Sequence, residues 1–134
     1  MEVLILNSYL NIYGNNPTAG GNDGTIITEE GDLSSPLSFI LDATENETKT
    51  ATLAIRAESG FQTLGNTTIS DSADTDDRWK LSLDNENWSD TIIFTDTILD
   101  TNLIFYAKAS ADSSESAFND TTVTLAVSTK IIPV

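Results

Sequence analysis

The chain has 134 residues, 39% of them hydrophobic, with 21 acidic against 6 basic side chains and a formal net charge of −15. This is one ordinary domain, long enough to enclose a two-layer core without metal or disulfide support. Cysteine and histidine are both absent, which excludes a disulfide framework, thiolate and Ser-His-Asp catalysis, histidine-ligated zinc and histidine pH switching.

The basic residues Lys49, Arg56, Arg78, Lys80, Lys108 and Lys130 are scattered, so no stripe exists for direct nucleic-acid or anionic-membrane binding. At the start, Met1-Glu2-Val3-Leu4-Ile5-Leu6-Asn7 places a short apolar run behind an acidic flank. That run is shorter than a signal-peptide core requires, and no segment reaches membrane-spanning length. The expectation is a chain made and assembled in the cytoplasm, with the sequons at Asn46, Asn66, Asn87 and Asn119 as chance products of an Asn- and Thr-rich composition.

Val3 to Tyr13 is strand-forming, with Val3, Leu4, Ile5, Leu6, Tyr9, Leu10, Ile12 and Tyr13 as its apolar and aromatic positions. Gly14-Asn15-Asn16-Pro17-Thr18-Ala19-Gly20-Gly21-Asn22-Asp23-Gly24 follows and reads as a flexible linker by composition. Residues 1–24 are therefore expected to be an arm with its linker, and 25–134 the domain body. The arm has two readings: the first strand of its own domain, or an interface segment that adds to a neighbour's sheet edge or docks on a larger assembly.

Beyond the linker, short runs of period-two alternation recur between Gly, Asn and Asp clusters, and nothing reads as a long amphipathic helix. Pro36 opens an edge strand carrying Leu37, Phe39 and Leu41. Thr48 to Glu58 places Ala51, Leu53, Ile55 and Ala57 on one face, with Thr50, Thr52, Arg56 and Glu58 on the other, the pattern of a half-buried strand. Thr67 to Ser70 is a short strand. In Arg78 to Leu83, Trp79, Leu81 and Leu83 face the core, and Asp84-Asn85-Glu86-Asn87 turns the chain by local side-chain bonds and tolerance of positive φ. Trp88 and Thr91 to Phe94 return, Leu103 to Ala109 directs Phe105, Ala107 and Ala109 to one face, and Thr121 to Thr129 closes with Val123, Leu125 and Val127 inward. The fold class expected is an all-β, immunoglobulin-like Greek-key sandwich of about seven to nine strands with an N-terminal strand or arm. Its expected core is Phe39, Leu53, Ile55, Trp79, Leu81, Leu83, Phe105, Val123, Leu125 and Val127.

The acidic run Asp71-Ser72-Ala73-Asp74-Thr75-Asp76-Asp77 offers hard oxygen ligands of the kind calcium takes, making Asp71, Asp74, Asp76 and Asp77 weak calcium candidates. The run lacks EF-hand spacing, and a solvated acidic loop is the plainer reading. Asn22-Asp23-Gly24 is better read as a tight turn than as a calcium ligand set. Paired carboxylates suited to glycoside hydrolysis are unavoidable among so many acids, but a sandwich of this size implies no cleft, so no enzymatic activity is expected. Trp79 belongs to the core. Trp88, beside a polar turn, is the one aromatic with the character of a surface anchor. Arg56 is expected to pair across strands with an acid.

Four features stand together in the second half: Trp79-Lys80-Leu81-Ser82-Leu83, the Asn87-Trp88-Ser89 turn, Thr101-Asn102 ahead of Phe105-Tyr106-Ala107-Lys108-Ala109, and Asn119-Asp120 ahead of the last strand. With them, the segment from Trp79 to Thr129 resembles the immunoglobulin-like domains of bacteriophage virion proteins. The resemblance implies a structural protein displayed on a capsid or tail, often in many copies. The first expectation is a capsid (head) decoration protein docking through its N-terminal segment, with the major capsid or tail protein and copies of itself as partners. A tail or neck component is the alternative within that class. The rival class is a carbohydrate-binding or adhesin module in which Trp88 and loop acids, with calcium, hold surface glycans. No other cofactor is expected.

Overall fold

The computed structural model describes residues 2–4, 9–27, 48–72, 79–110 and 124–134. They form β1 (Glu2–Leu4), β2 (Leu10–Gly14), β3 (Thr25–Ile26), β4 (Thr48–Ala57), β5 (Phe61–Ser72), β6 (Trp79–Ser82), β7 (Thr91–Phe94), β8 (Leu103–Ser110) and β9 (Thr124–Pro133), with no helix among the described residues. One sheet has the order β1-β9-β5-β7 and the other β3-β2-β4-β8-β6. Every ladder is antiparallel except β1 on β9.

Alternation decides which side chains meet between the sheets, because successive residues of a strand point to opposite faces. Leu53, Ile55 and Ala57 of β4 and Phe105, Ala107 and Ala109 of β8 lie in one core with Ile69 of β5, Ile92 and Phe94 of β7 and Leu125 of β9. Phe94 and Phe105 meet edge to face across the two layers, ring centres 6.1 Å apart at 82°, the offset geometry that aromatic quadrupoles favour. Two sheets sharing one interior is the arrangement of a β-sandwich.

Three expectations change in the folded chain. The short strand expected at Thr67 to Ser70 is the second half of β5, whose first half begins at Phe61. The register slips between Leu64 and Thr68, Gly65 takes φ +80°, and the buried positions fall at Thr63 and then Thr67. The slip is of two residues, so the inward face stays in phase through Ile69 and Asp71, but around the bulge it holds Thr63 and Thr67 with Gly65 between them, and no apolar alternation marks the strand there. Leu83, expected in the core, is 44% exposed, because β6 stops at Ser82 and the chain turns there. The last strand runs on to Pro133, where it pairs with Phe61; a proline at a strand end leaves the ladder intact. The expected strand at Pro36 to Leu41, with Phe39, lies outside the described residues, as does Val123.

The stretch from Val3 to Tyr13 does not make a single strand. Its start is β1, paired parallel with the chain's own β9 (Val3 opposite Leu125), and its end is β2, inside the other sheet between β3 and β4. Leu10 and Ile12 are fully buried in the common core, opposite Ala57 and Ile55.

Candidate functional site

The expected flexible linker is held by hydrogen bonds. Asn102, 2% exposed, sits just before β8 and ties the 15–24 loop to β4 through the two ends of its amide. Its Nδ2 donates to the Thr18 carbonyl (3.0 Å), the Asp23 carbonyl (3.2 Å) and Asp23 Oδ1 (3.0 Å), and its Oδ1 accepts from Arg56 Nη1 at 2.7 Å. The main chain adds two rungs, Gly20 N to Asn102 O at 3.0 Å and Asn102 N to Gly21 O at 2.9 Å. Arg56 also donates to the Asp23 carbonyl at 2.9 Å, and its guanidinium carbon lies 3.5 Å from the centre of the Tyr13 ring, a cation–π contact. Arg56, expected to pair across strands with an acid, has a carbonyl, an amide and a ring as its direct contacts, and the acid beside it, Asp23, feels its charge from the neighbouring loop. Composition alone hides this, since Gly and Asn mark flexible linkers and tight polar loops alike.

Asp23 is committed within that loop. Its carboxylate accepts from Thr18 N and Thr18 Oγ1, both at 2.8 Å, and these bonds, the Thr18 amide first, hold its pKa below the ordinary 3.8. A carboxylate already surrounded by donors is arranged for hydrogen bonding and not for a cation. Asp71 belongs to β5, opposite Leu125, and is buried, so the acidic run begins inside a ladder. Asp74, Asp76 and Asp77 lie outside the described residues, and no cluster of three or more metal-ligating side chains occurs among those described.

The turn after β6 is a second closed polar unit. Asp84 Oδ1 accepts from Glu86 N (2.9 Å), Asn87 N (2.8 Å) and Ser82 Oγ (2.9 Å), while Oδ2 accepts from Asn87 Nδ2. These bonds, led by the Asn87 and Glu86 amides, push the Asp84 carboxyl far below its usual range. Ser82 Oγ in turn accepts from Asp84 N at 3.2 Å and Asn85 N at 2.9 Å, and Asn85 takes φ +61°. The turn delivers Trp88 onto the outer side of the five-stranded sheet, half-buried, with the Lys108 ammonium 4.4 Å from its ring centre. Beside it, Lys80 Nζ meets Asp90 Oδ1 at 2.6 Å.

Of the expected interface residues, Leu10, Ile12 and Tyr13 are buried, Tyr13 under Arg56. The side chains of Val3, Leu4, Ile5 and Leu6 lie outside the described residues. Tyr9 alone presents a side chain to solvent, at 45%, and stacks on Phe61 with ring centres 4.0 Å apart. Its carbonyl accepts from Glu58 N, the Leu99 carbonyl accepts from Ala57 N, and Val134 N donates to Gly60 O. Tyr9, Phe61, Leu99 and Val134 therefore converge on the β4–β5 corner, with Leu99 at 43% and Val134 at 77% exposure. β5 runs from Phe61 at this corner to Ser72 at its other end. The corner gathers residues remote in sequence, which no local pattern marks. No family model, curated protein or solved structure matches the chain.

Proposed function

We propose that the chain is a non-enzymatic structural protein of a bacteriophage particle, an immunoglobulin-like domain that decorates the capsid by docking through its apolar corner. The observation that carries this reading is the corner itself: Tyr9, Leu99 and Val134, remote in sequence, are exposed together at the β4–β5 turn. Burying three such side chains yields about 1.5–3 kcal/mol for each large aliphatic or aromatic group, which repetition over many copies makes effective. The net charge of −15 then keeps neighbouring particles apart.

Two interlocked strand pairs support an immunoglobulin-like Greek key. β4 and β5 are consecutive but lie in opposite sheets, and they pair with β8 and β9, which are likewise consecutive and in opposite sheets. The resemblance of residues 79–129 to virion domains points the same way. Partners in this reading are the major capsid or tail protein and further copies of the chain, and the location is the virion.

The test is quantitative mass spectrometry on gradient-purified particles from a producing culture. Abundance near that of the major capsid protein supports decoration, and a small number of copies moves the protein to a tail or neck position. Absence from particles overturns the reading. A Tyr9→Ser/Leu99→Ser double variant that folds normally yet still occupies particles at wild-type level overturns the assignment of the corner as the docking surface.

A further inference from the structure

We propose that the outer face of β6 and β8, around Trp88, Tyr106 and Lys108, binds a carboxylate-bearing saccharide. The register defines this face. Lys108 stands opposite Lys80 on one side and Thr50 on the other, and Tyr106 stands opposite Ser82 and Thr52. Residues paired across a ladder project to the same side, and the alternate residues Phe105, Ala107 and Ala109 enter the core. Ser82 is buried and its hydroxyl is committed to the turn, so the outer surface offers the hydroxyls of Thr50, Thr52 and Tyr106 and two ammonium groups, bordered by Trp88.

Its charge is the first observation that points to a ligand. Like charges directly opposite destabilise a ladder, and Lys80 is relieved by Asp90 at 2.6 Å. Among the described residues Lys108 meets no carboxylate, and its ammonium lies 4.4 Å from the centre of the Trp88 ring. In a chain of 21 acids and 6 bases, internal pairing would have been easy to supply. The nearby Asp84 carboxylate is turned into its own loop by four donors. The complement of Lys108 is an external carboxylate, joined by a charge-assisted hydrogen bond. Repulsion from acidic groups farther away on the surface is screened over about 8 Å at physiological salt.

The aromatic residues decide between a saccharide and an acidic peptide. Trp88 and Tyr106 are half-buried, and neither the indole N–H nor the phenol hydroxyl bonds to a described residue. Each ring offers an apolar surface with a polar tip, which matches a sugar ring with its C–H faces and peripheral hydroxyls. An extended peptide binds a sheet mainly by pairing with a free edge, but β8 is flanked by β4 and β6, and the outer edge of β6 is taken at Leu81 by its two main-chain bonds with Ser89. This inference does not rest on the virion reading.

The experiment titrates the purified full chain with polygalacturonate, with dextran as a neutral saccharide and poly-glutamate as an acidic peptide, following tryptophan emission and calorimetric heat. Lys108→Gln and Tyr106→Phe are the main variants, because both keep the packed part of the side chain; Trp88→Phe is added where circular dichroism shows native folding. The expected result is binding of polygalacturonate alone, weakened about tenfold or more in Lys108→Gln, the loss of one charge-assisted bond. No polygalacturonate binding, equal binding of dextran, poly-glutamate binding of the same strength, or an unaffected Lys108→Gln variant each overturns the proposal.

Discussion

Replacing Asn102 by alanine tests whether the polar knot holds the 15–24 loop on the sheet. The substitution removes three donor contacts from Nδ2 and one acceptor contact to the Arg56 guanidinium. A neutral hydrogen bond contributes about 1 kcal/mol net and one to a charged group about 1.5–3 kcal/mol. The three Nδ2 contacts share two protons, so they count as about two bonds. Arg56 keeps its bond to the Asp23 carbonyl at 2.9 Å and its place over Tyr13, which limits the penalty of an orphaned charge. The expected loss is about 3–4 kcal/mol, equivalent to a fall in Tm of about 10–15 °C for a domain of this size. Urea unfolding followed by circular dichroism measures it, and limited proteolysis reads whether cleavage begins within residues 15–24. A loss below about 1 kcal/mol with the loop still protected would refute the argument, leaving the two backbone rungs between Asn102 and Gly20–Gly21 as sufficient.

Gly24→Ala is expected to destabilise by about 2 kcal/mol or more, because φ is +115° and the new Cβ would meet Tyr13 Cβ at 2.9 Å and the Gly14 carbonyl at 3.2 Å; chemical denaturation checks it. Leu81→Ala and Leu83→Ala should separate sharply: Leu81 is fully buried and Leu83 is 44% exposed, so the first costs about 2–5 kcal/mol and the second stays within about 1 kcal/mol. Equal effects in thermal melts would refute the placement of the β6 end at Ser82. Asp23 and Asp84 both have folded pKa values lowered from 3.8. Their contribution is therefore fully present above that unfolded value and is lost as pH falls through the depressed folded values. Protonation of other acids relieves the net charge of −15 and acts in the opposite sense. The comparison that isolates the turn is wild type against Asp84→Asn, whose denaturation midpoints should converge as pH is lowered below about 3.8. A constant gap between the two curves at all pH values would refute it.

What the sequence determined by itself was the local pattern and the chemistry that composition forbids. Strict alternation marked Thr48–Ala57 and Leu103–Ser110, because a strand with one face in the core repeats every two residues whatever it pairs with. The Asp84–Asn87 turn was legible for a similar reason, since its hydrogen bonds are made within a few residues of chain. The tertiary structure alone decided what depends on partners remote in sequence. β5 was half hidden because its buried positions around the bulge are Thr63 and Thr67, with Gly65 between them, so no apolar alternation marks them, and only its pairing with β9 shows the strand to be continuous. Val3 to Tyr13 looked like one arm, but Leu4 pairs near Ala126 and Leu10 with Ala57, so the two ends enter different sheets. The 15–24 segment had the composition of a linker, and it is ordered by Asn102, about eighty residues away. The polar turn beside Trp88 was visible in the sequence, while the placing of Lys108 over its ring and opposite Lys80 follows from cross-strand register. Charges and hydroxyls reveal their partners only when the sheets have formed, because hydrogen bonds and ion pairs depend on distance in space and not along the chain.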